Sequence, residues 1–304
     1  MDAFESRPAL RDDLQAPTPT PNELLVRVRA SSVNPADNSI AAGLLKQMGV
    51  GYEFPVILGR DFFGVVEEVG ADVTAYSVGD DVFAFLVHAN PTVHDGSWAE
   101  LIAVQEASIA RAPEGVDGAT AGAAPLAGIT ALLAVDALEL SDGDTVLIVG
   151  ATGGVGSLAV QLAARAGATV VAPALPEDET YLRDLGVSEL LPRDGDLAAT
   201  ARERHPDGFD AALDLVNYAP DVPATLVKDG GRVASPTGAA GEGPGRTMIM
   251  AAPTPENLAR LARLLAEGTL RVPVQATYEL AQAPDALAAL ADTHTQGKVA
   301  IRIG

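Results

Sequence analysis

Hydrophobic and polar positions change rhythm twice along the chain. Residues 1–21 are polar and close on the proline-rich APTPTP. The run ELLVRVRASSV follows, with apolar Leu25, Val26, Val28 and Ala30, and it reads as a strand. From there to about residue 112 the text is short β-rich pieces cut by Gly, Pro and Asp: FPVILGRD, GVVEEVG, VGDDVFAFLV and WAELIAV. Short strands with turn signals at this spacing predict a barrel-like antiparallel domain. Near residue 113 the texture shifts. Residues 118–139 read as helix, and TVLIVG reads as a buried parallel strand. A glycine cluster, the helix SLAVQLAARAG, the strand TVVAPA, the helical YLRDLG, and the strands FDAALDLV and GGRVASPTG complete an alternation. That alternation predicts a doubly wound parallel sheet. A helix over 255–267 is capped by Thr254, opened by Pro255, striped by Leu258, Leu261 and Leu265, and stopped by Gly268. The tail returns to β-text (LRVPVQATYEL, then KVAIRI after a short Ala-rich helix) and is expected to rejoin the first domain. The expected division is a discontinuous domain of 1–115 plus 270–304, with 116–269 inserted.

Length and composition narrow the classes. Two domains are the natural expectation for 304 residues. With 48% hydrophobic residues a sizeable core can form, and a disordered chain is excluded. Asp plus Glu is 41 against 20 Lys plus Arg, a net charge of −21, which repels nucleic-acid phosphates and anionic lipid. Zero cysteines exclude disulfides, thiolate nucleophiles and Cys-containing zinc sites. His88, His94, His205 and His294 show no metal-ligand spacing, so no metal is expected. No apolar run approaches the ~18 residues that cross a bilayer. The segment MDAFESRPALRDDL has no apolar signal core, and a cytoplasmic protein is expected.

The sharpest signal is TVLIVGATGGVGSLAVQLAARAG, residues 145–167. An apolar strand runs into Gly150, Ala151, Thr152, Gly153, Gly154, Val155 and Gly156 and then directly into a helix. The G-x-G-x-x-G template is met with Ala151 in first place, Gly153 where a pyrophosphate would approach, and Gly156 where helix and strand pack closely. Free amides and the dipole at the helix start favour an anion there. A strand-to-helix turn without ligand is the alternative, but the flanking strand and helix and the next strand all stand at dinucleotide-binding distance. An acid at the tip of the second strand would select NAD, and a nearby cation NADP. Here TVVA (169–172) ends on Ala172, Pro173 and Ala174, followed by Leu175, Pro176, Glu177, Asp178 and Glu179. The nearest cations are Arg183 and Arg193, and three successive carboxylates would repel a phosphate unless they point away.

Nine segments in order carry a resemblance: SSVNPAD (31–37), FPVILGRDFFGVVEEVG (54–70), VGDDV (78–82), GSWAE (96–100), PLAGITA (125–131), VGATGGVG (149–156), GGRV (230–233), LRVPV (270–274) and GKVAI (297–301). Over nearly its whole length the chain resembles the zinc-free quinone oxidoreductase branch of the medium-chain dehydrogenase/reductase superfamily. The resemblance implies a GroES-like β-barrel catalytic domain, an inserted Rossmann domain and a nucleotide in the cleft between them. It implies hydride transfer from NADP(H), with NAD(H) as the alternative, to a quinone or the electron-poor C=C bond of an enone, and a homodimer. Zinc-dependent relatives carry a GHE triplet where this chain reads Gly59-Arg60-Asp61. Two departures stand out. Members carry a few more residues before the DAF-like segment, which makes Met1 an internal start or abbreviates the first strand. NADP-using relatives often place Lys or Arg near where this chain has Glu179.

The resemblance places Asn34 near the nicotinamide and substrate, Thr130 where a helix meets the nicotinamide, and Lys298 near the cleft, with Val216 and Thr237 in the cofactor set. Asn34 and Asp37 also read as turn and cap residues around Pro35. Tyr52 could donate to a developing enolate or quinol oxygen, or stand as an exposed loop tyrosine. Arg60 and Asp61 read as a proton-relay pair or a buried ion pair, and Trp98 as a core or rim aromatic. His88 and His94 carry no assignment. Two other functions stay open from sequence: reduction of an enoyl thioester, and nucleotide binding without turnover.

Overall fold

The first β-run is a strand in the computed structural model, which describes residues 1–4, 6–87, 94–216, 222–292 and 294–304. This strand, β1 (Glu23–Val33), buries Leu24, Val26, Val28 and Ala30. Leu24, not Leu25, starts the buried series, because a pleated strand sends alternate side chains to opposite faces and Val26 sets the phase. Chain order continues through α1 (Pro35–Ala41), β2 (Asp61–Val69), β3 (Asp81–Phe85), β4 (Leu101–Gln105), β5 (Ala110–Arg111), α2 (Gly118–Ala123) and α3 (Pro125–Ala137). The helix expected over 118–139 is divided before Pro125, which lacks an N–H and so cannot continue the hydrogen-bond ladder of α2, although Ala124 itself keeps a helical conformation (φ −78°, ψ −41°). Then come β6 (Thr145–Val149), α4 (Gly154–Arg165), β7 (Thr169–Ala174), α5 (Glu179–Leu185), β8 (Glu189–Pro192), α6 (Leu197–Arg204), β9 (Phe209–Asp214), α7 (Val222–Thr225), β10 (Val227–Ser235) and β11 (Arg246–Met248). The last elements are α8 (Pro255–Ala266), β12 (Val274–Glu279), α9 (Ala283–Asp292) and β13 (Lys298–Arg302). No helix among the described residues is long and apolar enough to cross a membrane.

The chain forms two compact units. One holds Met1–Leu126, Ala252–Thr269 and Val274–Gly304; the other holds Ala127–Ala251 and Leu270–Pro273. Three segments therefore group differently from the division expected at 115/116 and 269/270: 116–126 and 252–269 lie with the first unit, and 270–273 with the second. Helix α2 stays with the first unit because Gly122 lets it lie on β1; a Cβ at Gly122 would stand 2.7 Å from Ala30. Helix α8 also stays there, burying Leu258, Leu261 and Leu265, and it packs beside β5. Its Thr254 cap is present, with Thr254 Oγ1 accepting from the Asn257 amide at 3.2 Å.

The sheet of the first unit runs β12-β13-β1-β2-β3-β5, and β4 pairs with the first half of β1. All pairings are antiparallel except β12 with β13. The tail rejoins the sheet through β13, whose register sets Arg302 opposite Ala30 and Val299 opposite Val33. Lys298 is thereby carried just past the end of β1, to Asn34. The second unit is a six-stranded parallel sheet, β11-β10-β9-β6-β7-β8. Its core gathers Leu147, Val149, Val171, Phe209 and Val233. Chain order reverses between β6 and β9, the switch point beside which open α/β sheets bind ligands at their carboxyl ends.

Candidate functional site

The glycine turn leaves β6 at that switch point. Gly150 takes a left-handed conformation, φ +89°, and turns the chain into α4. Gly156 sits on the first turn of α4, where an added Cβ would stand 2.1 Å from the Gly150 carbonyl oxygen and 2.7 Å from Ala151 Cα. Strand and helix touch there, and only hydrogen fits. Gly153, the residue before α4, differs: within 4 Å its Cβ would meet only the Gly150 oxygen, at 3.6 Å. The approach over Gly153 is open. The amides of Gly154, Val155 and Gly156 open the helix and have no partner within it. An open backbone face beside amides that make no bond within the helix fits a dinucleotide pyrophosphate.

The turn is braced by a residue that sequence reasoning missed. The Tyr181 hydroxyl of α5 donates to the Thr152 carbonyl at 3.5 Å, and burial pushes its pKa up to about 12. Nothing in YLRDLG marks this tyrosine, since its partner lies 29 residues upstream. On the other side Val216, after β9, lies against Gly150 and is half-exposed. Its amide bonds Asp214 Oδ1 at 3.0 Å, and Asp214 is buried at the end of β9. Thr237 stands in the loop after β10, where the Ser235 hydroxyl meets Thr237 Oγ1 at 2.9 Å and the Ala239 amide at 3.2 Å.

The tip of the second strand falls later than the sequence indicates. β7 runs through Ala172 and Pro173 to Ala174, all buried, because β8 pairs with it up to Ala174–Pro192. Arg193 follows β8 at once, and its amide donates to the Ala174 carbonyl at 3.1 Å, which holds the Arg193 backbone beside the strand tip. The three carboxylates do not act together. Asp178 is buried and accepts the Leu175 amide at 3.2 Å, closing its own turn. Glu179 is exposed on α5 and pairs with Arg183 one turn on, 3.7 Å away.

The first unit carries a buried polar cluster. Asp61, at the start of β2, is fully buried. Its Oδ1 accepts the Leu126 amide at 2.7 Å, and its Oδ2 accepts from Ser32 Oγ at 2.5 Å and Asn34 Nδ2 at 2.8 Å. Lys298 Nζ lies 2.6 Å from Asn34 Oδ1 and 3.4 Å from both Asp61 Oδ2 and the Val33 carbonyl. Asp61 therefore pairs with a lysine 237 residues away and not with its neighbour Arg60. The Arg60 guanidinium turns to main-chain carbonyls, with Nε 2.7 Å from Gly59 O and Nη2 3.4 Å from Asp95 O, so the pair is no proton relay.

Two expected catalytic side chains are engaged structurally. Asp37 is fully buried; its Oδ2 accepts the Asn34 amide at 2.8 Å and its Oδ1 the Gly59 amide at 2.9 Å. Both oxygens pin backbone, which makes Asp37 a cap for α1 and an anchor for the Gly59 loop. Burial holds its pKa up at about 6. Tyr52 donates its hydroxyl to the Ile40 carbonyl at 3.2 Å and packs edge-on against Phe4, so its proton is already committed. Thr130 is buried on α3 and belongs to the second unit. Trp98 is nearly buried and donates Nε1–H to the Ser32 carbonyl at 3.2 Å, as a core aromatic would. His94 meets the Glu53 carbonyl at 3.1 Å; His88 lies outside the described residues.

Zinc binding needs several lone-pair donors converging on one point. The Asp61 cluster offers an ammonium beside its carboxylate, Arg60 stands where zinc-dependent relatives have histidine, and the chain has no sulfur of cysteine. These residues do not fit a zinc centre. Among the described residues no group of three or more His, Cys, Asp or Glu could hold a metal ion.

Comparison with known proteins bears on the whole chain. Residues 20–114 match the family described as Alcohol dehydrogenase GroES-like domain, and residues 185–301 that described as Zinc-binding dehydrogenase. The chain is 31% identical over 316 residues to the Chloroplast envelope quinone oxidoreductase homolog of Arabidopsis thaliana, covering 95% of this chain and 93% of that protein. The chain belongs to the quinone oxidoreductase branch of the medium-chain dehydrogenase/reductase superfamily. This reductase is also 30% identical over 298 residues to the chloroplastic NADPH-dependent alkenal/one oxidoreductase of Arabidopsis thaliana, covering 96% of the chain and 75% of the relative. Among solved structures it is similar to the quinone oxidoreductase from Coxiella burnetii, with a TM-score of 0.89 and 28% identity over 100% of this chain and 98% of that one. The fold expected from sequence, a GroES-like β-barrel domain with an inserted Rossmann domain, is the fold of the family.

Proposed function

We propose that this reductase uses NAD(P)H, without a metal, to reduce quinones or the electron-poor C=C bond of enones. The observation that carries the reading is the glycine turn, open above Gly153 and closed at Gly156. The bound dinucleotide supplies hydride. The chain supplies the amides of residues 154–156 for the pyrophosphate, and catalysis rests on orientation and fixed charge. Arg193, at the tip of β7, favours a 2′-phosphate, and the relative named as NADPH-dependent supports the same preference. The net charge of −21 disfavours polyanionic substrates and suits small neutral acceptors. The test is oxidation of NADPH and NADH by the purified chain against a panel of quinones and enones. Turnover with several acceptors is expected. Tight nucleotide binding with no oxidation by any acceptor would overturn the reading in favour of a nucleotide-binding protein without turnover.

A further inference from the structure

We propose that Gln161 is a positioning residue of the dinucleotide site: it seats the segment 270–273 on α4, and that seating and nucleotide binding at the glycine turn reinforce each other. The inference rests on the reading of the turn as a dinucleotide site and adds to that site a remote element, within the second unit.

The chain dips only briefly into this unit at 270–273. Leu270–Pro273 belong to the second unit, while the stretches on either side, Ala252–Thr269 and Val274–Gly304, belong to the first. Leu270 and Val272 are buried, but Arg271 between them is exposed, and a side chain holds its backbone. Gln161 Nε2 donates to the Arg271 carbonyl at 2.9 Å, and Gln161 Oε1 accepts the Arg271 amide at 3.1 Å. A carboxamide carries both a donor and an acceptor, so it can imitate one rung of a sheet. The Arg271 guanidinium adds a bond from Nη2 to the Asp184 carbonyl, near the end of α5, at 2.9 Å.

The same carboxamide reaches back toward the turn. Gln161 Nε2 also donates to the Ser157 carbonyl at 2.8 Å, and Ser157 Oγ donates to the Gly154 carbonyl at 3.1 Å. Gly154, Ser157 and Gln161 are three and four residues apart, so they share one face of α4. Leu158, Ala159, Val160 and Ala163 of the same helix are apolar and buried. The polar row has a different cover: the segment 270–273 at one end and Tyr181 at the other. The Tyr181 hydroxyl bonds the Thr152 carbonyl and neighbours the Ser157 side chain. Hydrogen bonds thus run unbroken from Arg271 to Gly154, whose amide is one of the three offered to the pyrophosphate. A ligand that favours one arrangement is itself favoured by that arrangement, by the same factor. A bound pyrophosphate ties down the start of α4, and the seated segment ties down the turns behind it. Where the segment is loosened, binding must order more of the helix, and affinity falls.

The experiment compares wild type with Gln161→Leu, which is similar in size but makes no hydrogen bond. NADPH and NADH are titrated by fluorescence, and amide hydrogen exchange of the peptide 268–274 is followed with and without NADPH. The Arg271 amide is the reporter, because its acceptor is a side chain of α4. Single positions along such a path change coupling by about 2–30-fold. Gln161→Leu is expected to weaken both nucleotides by a similar factor in that range, since both carry the pyrophosphate. Combined with Tyr181→Phe, the losses should be less than additive, because both act on the same helix start. In the wild type NADPH should slow exchange in 268–274; in Gln161→Leu exchange there should be fast with or without it. A folded Gln161→Leu with wild-type affinity for both nucleotides overturns the proposal, since a merely structural Gln161 would lower the melting temperature alone. Should that variant not fold, the wild type decides: exchange in 268–274 that ignores bound NADPH equally overturns it. A wild type that binds neither nucleotide overturns the dinucleotide reading itself.

Discussion

Replacing Gly153 and Gly156 by alanine, one at a time, should separate nucleotide binding from folding. At Gly156 the new Cβ would lie 2.1 Å from the Gly150 oxygen and 2.8 Å from the Ala151 carbonyl carbon, where ordinary contact begins at 3.4 Å. All of these are backbone atoms, so α4 must move off β6. Overpacking of this kind costs about 1–3 kcal/mol. At ~2–4 °C per kcal/mol, the melting temperature should fall by roughly 2–12 °C. At Gly153 the nearest atom is 3.6 Å away, and φ −72°, ψ 179° suits any residue. Folding should not change. The Cβ does stand where the pyrophosphate comes down, and losing one charge-assisted amide bond costs about 1.5–3 kcal/mol, or roughly 10–150-fold in Kd. Fluorescence titration with NADPH and NADH, run beside thermal melts, reads both effects. A Gly153→Ala variant with wild-type affinity for both nucleotides would place the dinucleotide elsewhere. A Gly156→Ala variant that melts with the wild type would refute the packing argument.

Three more outcomes are expected. Cofactor choice should be a modest NADPH preference of roughly 10–100-fold, resting on the single cation at the strand tip; Arg193→Ala should erase it and Glu179→Lys strengthen it, whereas equal or better use of NADH by the wild type would show that Arg193 does not reach the phosphate. Activity should survive prolonged treatment with a strong chelator, with no stoichiometric zinc by elemental analysis; loss on chelation with recovery on adding zinc would sink the metal-free reading. Asp37, held at about 6 by burial against ~3.9 in an unfolded chain, binds its proton more tightly when folded. Its titration therefore favours folding below about pH 4, and that contribution is lost as pH rises through 6. In denaturant unfolding the stability of wild type relative to Asp37→Asn should fall between pH 4 and 7, and a rise would contradict the assigned burial effect.

What the sequence determined by itself is what local physics controls. The glycine turn was legible because one contiguous stretch supplies the strand, the turn and the helix start. Helix α8 was legible because cap, stripe and stop lie within fifteen residues. The two sheets followed from period and punctuation, and the return of the tail from its β-text. Tertiary structure alone decided who meets whom across long separations. Neighbouring positions made Arg60 the obvious partner for Asp61, yet the antiparallel register of β13 on β1 delivers Lys298 instead. Asp37 and Tyr52 carry chemistry in their side chains, but burial against particular amides and a particular carbonyl commits it to the backbone. Tyr181 under the glycine turn, and Asp178 turned away from its neighbouring carboxylates, depend on how α5 lies beside α4 and how a single turn closes. Periodicity fixes which face of an element is buried; only packing of the whole chain fixes what that face is buried against, and at a buried polar group the partner decides whether it binds, reacts or merely holds the fold.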